Sequence, residues 1–387
     1  MASVLDSYLP SQDKLQSRLD KVITGNPTVP KPLVGFPTSL RSSLSWTREE
    51  IEQDLDKCIL RLSDEDIQAL EAACKTLSNF PKEGNIAAET YPLPSDLVRK
   101  LRSVSEQCYK GRGFMVVKGL DPSMYSAEQN VHIHAGIAAH VAPHHGFVNR
   151  ARTKVMGYVM NAGSEDVHMA PGFTDGALAF HTDSSEILSL YAVNVASEGG
   201  LTYVSSGYQL YNDLIKISPQ ILKTLSENWV LDTYQDYAKH PPVNRAMMHV
   251  VDSNNVSFTF SRYPMTGYKK RQRNASLPPV TDAQMEALDT VQCLLEKNSI
   301  PLPWERGDIV FINDMALFHA RSAFKEKASA GRELIKFYLR DPEQNWPIPQ
   351  TAKENWDTLF GPNKPDGERS EEWDMLYKSG EGAASNG

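Results

Sequence analysis

The chain has 387 residues, 41% of them hydrophobic and 23% charged, with a formal net charge of −8 at pH 7. That length supplies one large domain or two average ones with an ample core, and no apolar run approaches the roughly 18–20 residues that a membrane span needs. Mixed charge with an acidic balance offers no basic stripe for nucleic acid, so the expected partner is a small molecule, with no nucleic acid and no membrane.

Residues 1–44 carry Pro10, Pro27, Pro30, Pro32 and Pro37 with little periodicity and read as an extended arm. The opening "MASVLDSYLPSQDKLQ" lacks the basic start and apolar middle of a secretory leader, so a cytoplasmic location is expected. A single domain is expected over 45–376, followed by a small, polar, flexible tail at 377–387. "SDEDIQALEAACKTLSNF" begins with the cap Ser63 and spaces Ile67, Leu70, Cys74 and Leu77 along one helix face. "SDLVRKLRSVSEQCYKG" repeats the design, with Ser95 at its start and Gly111 past its end. "GFMVVKGL" then predicts a strand.

"HIHAGIAAHVAPHHG" holds His132, His134, His140, His144 and His145, half of the ten histidines. Its first part reads as a helix, on which His132 and His134 stand about 200° apart and cannot share one ion. From about residue 151 the pattern is mainly β, with runs at "KVMGYVM", "EILSLYAVNVA", "LTYVSS", "MMHVVDS", "VSFTFSR", "GDIVFIND" and "ELIKFYLR". Asn254-Asn255 signals a hairpin, and one late helix starts with the capping box Thr281/Gln284. Many strands with few helices between them predict a mainly β fold with flanking helices (α+β), built on a jelly roll. Cys58, Cys74, Cys108 and Cys293 show no metal-ligand spacing and read as free thiols.

The chemistry concentrates in "ALAFHTDSSEILSLY". In an extended segment residues i and i+2 point the same way, so His181 and Asp183 present an imidazole and a carboxylate side by side. Two histidines and one carboxylate on one face, with open positions opposite, suit non-heme Fe(II). His319, after the apolar strand of "GDIVFINDMALFHARSAF", is the candidate third ligand. Such a site also needs a cation for the far carboxylate of a chelating 2-oxo acid, and Arg332 at the head of "RELIKFYLR" offers a bidentate fork.

With these residues in place, the span from about 110 to 349 resembles the TauD/TfdA-like, clavaminate-synthase-like Fe(II)/2-oxoglutarate dioxygenases, and is most similar to fungal-type members. "GRGFMVVKGLDP", "FHTD", "EGGLTYVSS" and "GDIVFINDMALFHAR…GRELIKFYLRDPEQNWPIP" follow in the family's order. The resemblance implies a double-stranded β-helix, iron on His181, Asp183 and His319, and 2-oxoglutarate held by Arg332 and Thr202. It implies decarboxylation of the co-substrate by O2 to succinate and CO2, with hydroxylation, desaturation or ring closure of a small amino-acid-like or carboxylate substrate, in secondary metabolism.

Two positions depart from the pattern. Asp314, preceded by Asn313, stands where an asparagine is usual, which bears on how His319 is oriented. Lys336 stands where taurine-type enzymes carry a substrate-gripping arginine, so it is a candidate anchor for a carboxylate, with a solvent-facing lysine as the alternative. Ser184 and Phe337 or Tyr338 are candidates for the substrate wall, and one of His140, His144 and His145 is expected to reach the substrate. The alternatives are a zinc hydrolase using the histidine-rich stretch and a catalytically silent jelly-roll binding protein. Oligomeric state stays open, a homodimer included.

Overall fold

The computed structural model describes residues 33–77, 86–161, 170–183, 185–269, 271–326 and 331–373. Its two larger sheets are formed, in chain order, by β1 (Ile59–Arg61), β2 (Phe114–Lys118), β3 (His144–Gly146), β4 (Met156–Met160), β5 (Leu178–His181), β6 (Ile187–Asn194), β7 (Thr202–Ser206), β8 (Ile300–Pro301), β9 (Ile309–Asn313), β10 (Leu317–Arg321) and β11 (Glu333–Arg340). The seven-stranded sheet runs β1-β2-β9-β6-β11-β3, with β4 also on β11, and the four-stranded sheet runs β8-β7-β10-β5. From β5 to β7 and again from β8 to β11 the chain alternates between these sheets, with β7 and β8 paired to each other in the smaller one. This is the double-stranded β-helix.

Strand alternation decides which side chains enter the space between the sheets. On β6, Leu188 and Leu190 line the cavity there, whereas Ser189 and Tyr191 point the other way. The Ser189 hydroxyl meets His134 Nε2 at 2.8 Å, and the Tyr191 hydroxyl donates to Asn130 Oδ1 at 2.8 Å. Both partners belong to the helix Ala127–Val141, whose N-terminus carries a Ser126/Gln129 capping box and which is buried from Asn130 onward. A helix buried all round must be covered on every side, here by β6, β11 and the helices Asp64–Thr76 and Ser95–Lys110.

Several boundaries agree with the spacing, including the helix Asp282–Asn298 with its capping box. The Asn254-Asn255 turn joins Met248–Val250 to Val256–Phe258. Two helices absent from the sequence reading, Gly207–Ile217 and Pro219–Ser226, pack on Asp282–Asn298 and on each other. Their signals are short: a Ser206 cap on Gln209 N with Leu210, Tyr211 and Leu214 buried, then Pro219 in the first turn with Ile221, Leu222 and Leu225 buried. Ser95 is the first helical residue, not the cap; Pro94 precedes it and no side chain caps that end. The described part of the arm lies on Gly207–Ile217, where the Tyr211 hydroxyl donates to Pro37 O and Leu40 N to Asn212 Oδ1. The rest of the arm and the 377–387 tail lie outside the described residues.

Glu186, just before β6, is fully buried and accepts from the Tyr109 hydroxyl at 2.5 Å. Burial pushes its carboxyl up to about 8, against the Tyr109 bond. The folded chain therefore holds a proton that the unfolded chain releases near 4.5, so stability falls as pH rises between those values. Glu186→Gln is expected to melt higher than the natural chain at about pH 8, with the gap closing by about pH 5. Melting curves at both pH values check this; a gap independent of pH contradicts it.

Candidate metal and co-substrate site

His181 closes β5 and stands opposite His319 on β10 in the antiparallel register. The intervening Thr182 turns away, its N–H donating to Phe260 O and its hydroxyl accepting from Phe260 N. His181 and Asp183 are thereby left on one side. The ligand atoms of His181, Asp183 and His319 all lie within 4.8 Å of one another, the one such convergent group among the described residues. The two imidazole centroids are 4.2 Å apart, and His181 Nε2 is 3.6 Å from Asp183 Oδ1.

The surroundings prepare these atoms for a cation. His181 Nδ1 is 2.9 Å from the Ala179 carbonyl; a carbonyl only accepts, so Nδ1 carries the proton and Nε2 keeps a free lone pair. Burial lowers the His319 imidazole to about 3, with His181 adding to the effect, so His319 is a neutral ligand at ordinary pH. Burial would raise Asp183, but Lys336, then His319 and His181, outweigh it and hold that carboxyl below its usual range.

Asp314, the departure noted in the sequence, organises this segment. Its carboxylate accepts from Asp183 N at 3.0 Å, Ser185 N at 2.8 Å and the Ser185 hydroxyl at 3.1 Å, and its Oδ1 is 3.6 Å from His319 Nδ1. Asp314 thus braces the Asp183 segment, while the His319 Nδ1 beside it has no hydrogen-bond partner among the described residues. Asn313 instead closes the turn into β10, accepting from Met315 N and Ala316 N.

Beside the three ligands opens a cavity of about 660 Å³, including its solvent-filled mouth, lined by Thr202, Arg332, Lys336 and the apolar Leu188, Leu190 and Leu334 among others. Arg332 is 4% exposed, and its Nη1 has no hydrogen-bond partner among the described residues. Burial, then Arg321, lowers its guanidinium to about 9, which leaves it charged at neutral pH. An orphaned buried cation in a cavity is costly unless an anion completes it. The donor set and this cation fit iron together with a dicarboxylate that chelates it.

Other expected site residues fall elsewhere. Phe337 faces the opposite side of the large sheet, against His134, His145 and Trp373; alternation along β11 puts Arg332, Leu334 and Lys336 in the cavity and Phe337 out of it. Tyr338 shares the Lys336 face and accepts from its Nζ at 2.9 Å. His140 bonds Tyr91 O at 2.8 Å, His145 packs on Trp373, and His144 is exposed on β3. None of the three lines the cavity: His140 belongs to the helix packed against the large sheet, and His144 and His145 lie on β3, the strand that ends the sheet's order beside β11. Ser184 lies outside the described residues.

Arg321, which the sequence reading passed over, lines the cavity and donates to the carbonyls of Gly172, Thr174 and Gly176. Its place two residues after His319 on one strand was the available signal.

A double-stranded β-helix with this site is that of an Fe(II)/2-oxoglutarate-dependent dioxygenase. Residues 77–338 match the Taurine catabolism dioxygenase TauD, TfdA family, and the chain belongs to that family. It is 29% identical over 334 residues to the taurine hydroxylase-like protein SAT17 of Stachybotrys chartarum (strain CBS 109288 / IBT 7711), covering 83% of this chain and 85% of that one. It is 20% identical over 168 residues to FR-33289 synthase of Streptomyces rubellomurinus (strain ATCC 31215), covering 43% of this chain and 49% of that protein.

Among solved structures, the fold matches asparagine oxygenase in complex with Fe(II), 3-hydroxyasparagine and succinate, with a TM-score of 0.53, 13% identity, 75% of this chain and 99% of that one. It matches the non-heme iron oxygenase OrfP with Fe and alpha-ketoglutaric acid equally well, with a TM-score of 0.53, 14% identity, 73% of this chain and 93% of that one.

Removing the brace tests its part in the site. Asp314→Ala is expected to weaken metal binding by roughly ten- to a hundredfold, read by titration of the metal-free protein with Fe(II) or Mn(II) under argon. Unchanged affinity would mean that the Asp183 segment is held without it.

Proposed function

We propose that the chain oxidises a small amino-acid-like or carboxylate substrate, with His181, Asp183 and His319 as the iron ligands and Arg332 and Thr202 as the 2-oxoglutarate site. The observation that carries this reading is the Nη1 of Arg332, which has no hydrogen-bond partner among the described residues, in the same cavity as the three convergent side chains. Bound iron, with 2-oxoglutarate and O2, supplies the oxidising chemistry and yields succinate and CO2.

The protein's own part is positioning. The Ala179 carbonyl fixes the His181 tautomer, and Asp314 fixes the turn that presents Asp183. Arg332 takes the distal carboxylate of the co-substrate as a fork, with the Thr202 hydroxyl beside it. Leu188, Leu190 and Leu334 wall that half of the cavity and keep water from the reacting atoms.

The relatives support a substrate of this size, since the solved neighbours hold 3-hydroxyasparagine and hydroxy-arginine. Secondary metabolism and the choice among hydroxylation, desaturation and ring closure belong to the same proposal. A cytoplasmic setting is supported by the four cysteines, all free and three of them buried, as suits a reducing compartment. No helix among the described residues is long and apolar enough to cross a membrane.

The test is succinate formation by the anaerobically purified protein given Fe(II), 2-oxoglutarate and then air, while amino acids and small carboxylates are screened for a gain of one oxygen or a loss of two hydrogens. Arg332→Met is expected to weaken 2-oxoglutarate binding by about a hundredfold, as loss of a buried charge-assisted pair predicts. Zinc bound with iron refused and no succinate formed would overturn the reading in favour of a hydrolase. Both ligands bound without turnover would favour a binding protein.

A further inference from the structure

The two oxygens of Asp183 have different neighbours. Oδ1 lies 3.6 Å from His181 Nε2, and one oxygen of the carboxylate converges with a ring nitrogen of each histidine. Oδ2 lies 3.2 Å from Lys336 Nζ, which also donates to the Tyr338 hydroxyl at 2.9 Å. Lys336 is 6% exposed, its Nζ 4.8 Å from the Tyr338 ring centroid. A buried ammonium persists only when paired, and here two of its three donors are committed within the protein.

A carboxylate that offers a metal both oxygens fills two positions, whereas one that offers a single oxygen leaves a position for another ligand. A chelating 2-oxo acid needs two positions and dioxygen a third. What holds the spare oxygen of the carboxylate therefore decides whether the metal face stays open.

We propose that Lys336 is a positioning residue for Asp183: its ammonium reserves Oδ2, so that the carboxylate presents one oxygen to the metal and leaves room for the 2-oxo acid. The inference rests on the iron site proposed above. It also reassigns Lys336. An ammonium already committed to Asp183 and Tyr338 does not grip an anionic substrate, so any substrate carboxylate is recognised by other groups.

The roles differ in what a substitution moves. Removing the ammonium takes a positive charge from beside a bound cation, which favours the metal, but frees Oδ2 to occupy a second metal position. A substrate anchor would leave metal and 2-oxoglutarate binding alone, and a purely structural lysine would degrade both.

The experiment compares the metal-free natural protein with Lys336→Met and Lys336→Arg. Mn(II) affinity is read from the electron paramagnetic resonance signal of free Mn(II), and 2-oxoglutarate affinity of the Mn(II) forms by calorimetry. Lys336→Met is expected to bind Mn(II) at least as tightly as the natural protein, and 2-oxoglutarate about tenfold more weakly. Lys336→Arg, which keeps the charge and the donors, is expected to retain 2-oxoglutarate binding.

Unchanged 2-oxoglutarate affinity in Lys336→Met overturns the proposal, as does weaker Mn(II) binding in a variant whose near-ultraviolet circular dichroism is native. If Lys336→Met fails to fold, Lys336→Arg decides: loss of 2-oxoglutarate binding there, with Mn(II) bound, also overturns it. A natural protein that binds no Mn(II) and no Fe(II) instead sinks the iron site itself.

Discussion

His181 and His319 meet because β5 and β10 pair antiparallel with the two residues opposite each other, before the register shifts between His319 and Arg321. Side chains alternate along a strand, so a slip of one residue would turn an imidazole out of the space between the sheets. The rest of the small sheet pins that register. β7 pairs with β10 along five consecutive residues, with Val204 opposite His319, and Asp282–Asn298 packs on β5 and β7. Asp183 is then delivered by the turn that follows, clamped by Asp314 from the turn between β9 and β10.

Burial makes this arrangement costly and also useful. Desolvation lowers the imidazoles, so they stay neutral as ligands, while the neighbouring Lys336 keeps Asp183 ionised despite being buried. Arg332 and Lys336 are two cations on one strand face, two turns of the pleat apart, and they meet different fates. Lys336 is satisfied within the protein. Arg332 retains a nitrogen with no partner among the described residues, so an anion from outside gains most by binding there. One satisfied and one unsatisfied cation thus line the same cavity as His181, Asp183 and His319.

Much of this was legible in the sequence because strands report their facing. The interval from His181 to Asp183 is one pleat repeat, and "ELIKFYLR" is bounded by its own apolar pattern, so Glu333–Arg340 emerges with those limits. The same alternation excludes Phe337 from the cavity once Arg332 and Lys336 are placed in it. The helices Gly207–Ile217 and Pro219–Ser226 were hidden because "LTYVSSGYQLYNDL" runs from strand into helix without a break, a helix cap at Ser206 being the last residue of β7.

The histidine-rich stretch misleads by composition. Its residues serve the packing of a buried helix, where imidazole nitrogens find Ser189 and the Tyr91 carbonyl. No local pattern reports which strand a helix will cover. The commitment of Lys336 to Asp183 was equally invisible, since it joins positions 153 residues apart. Sequence periodicity fixes which face a side chain takes, and only the assembled sheets decide what it meets there.

The proposed site holds one iron on His181, Asp183 and His319, and anaerobic Fe(II) titration of the natural chain beside Asp183→Ala measures that directly. The account predicts one equivalent of tightly bound Fe(II) in the natural chain and none in the variant, with both chains folded. Stoichiometric iron retained by Asp183→Ala would contradict it.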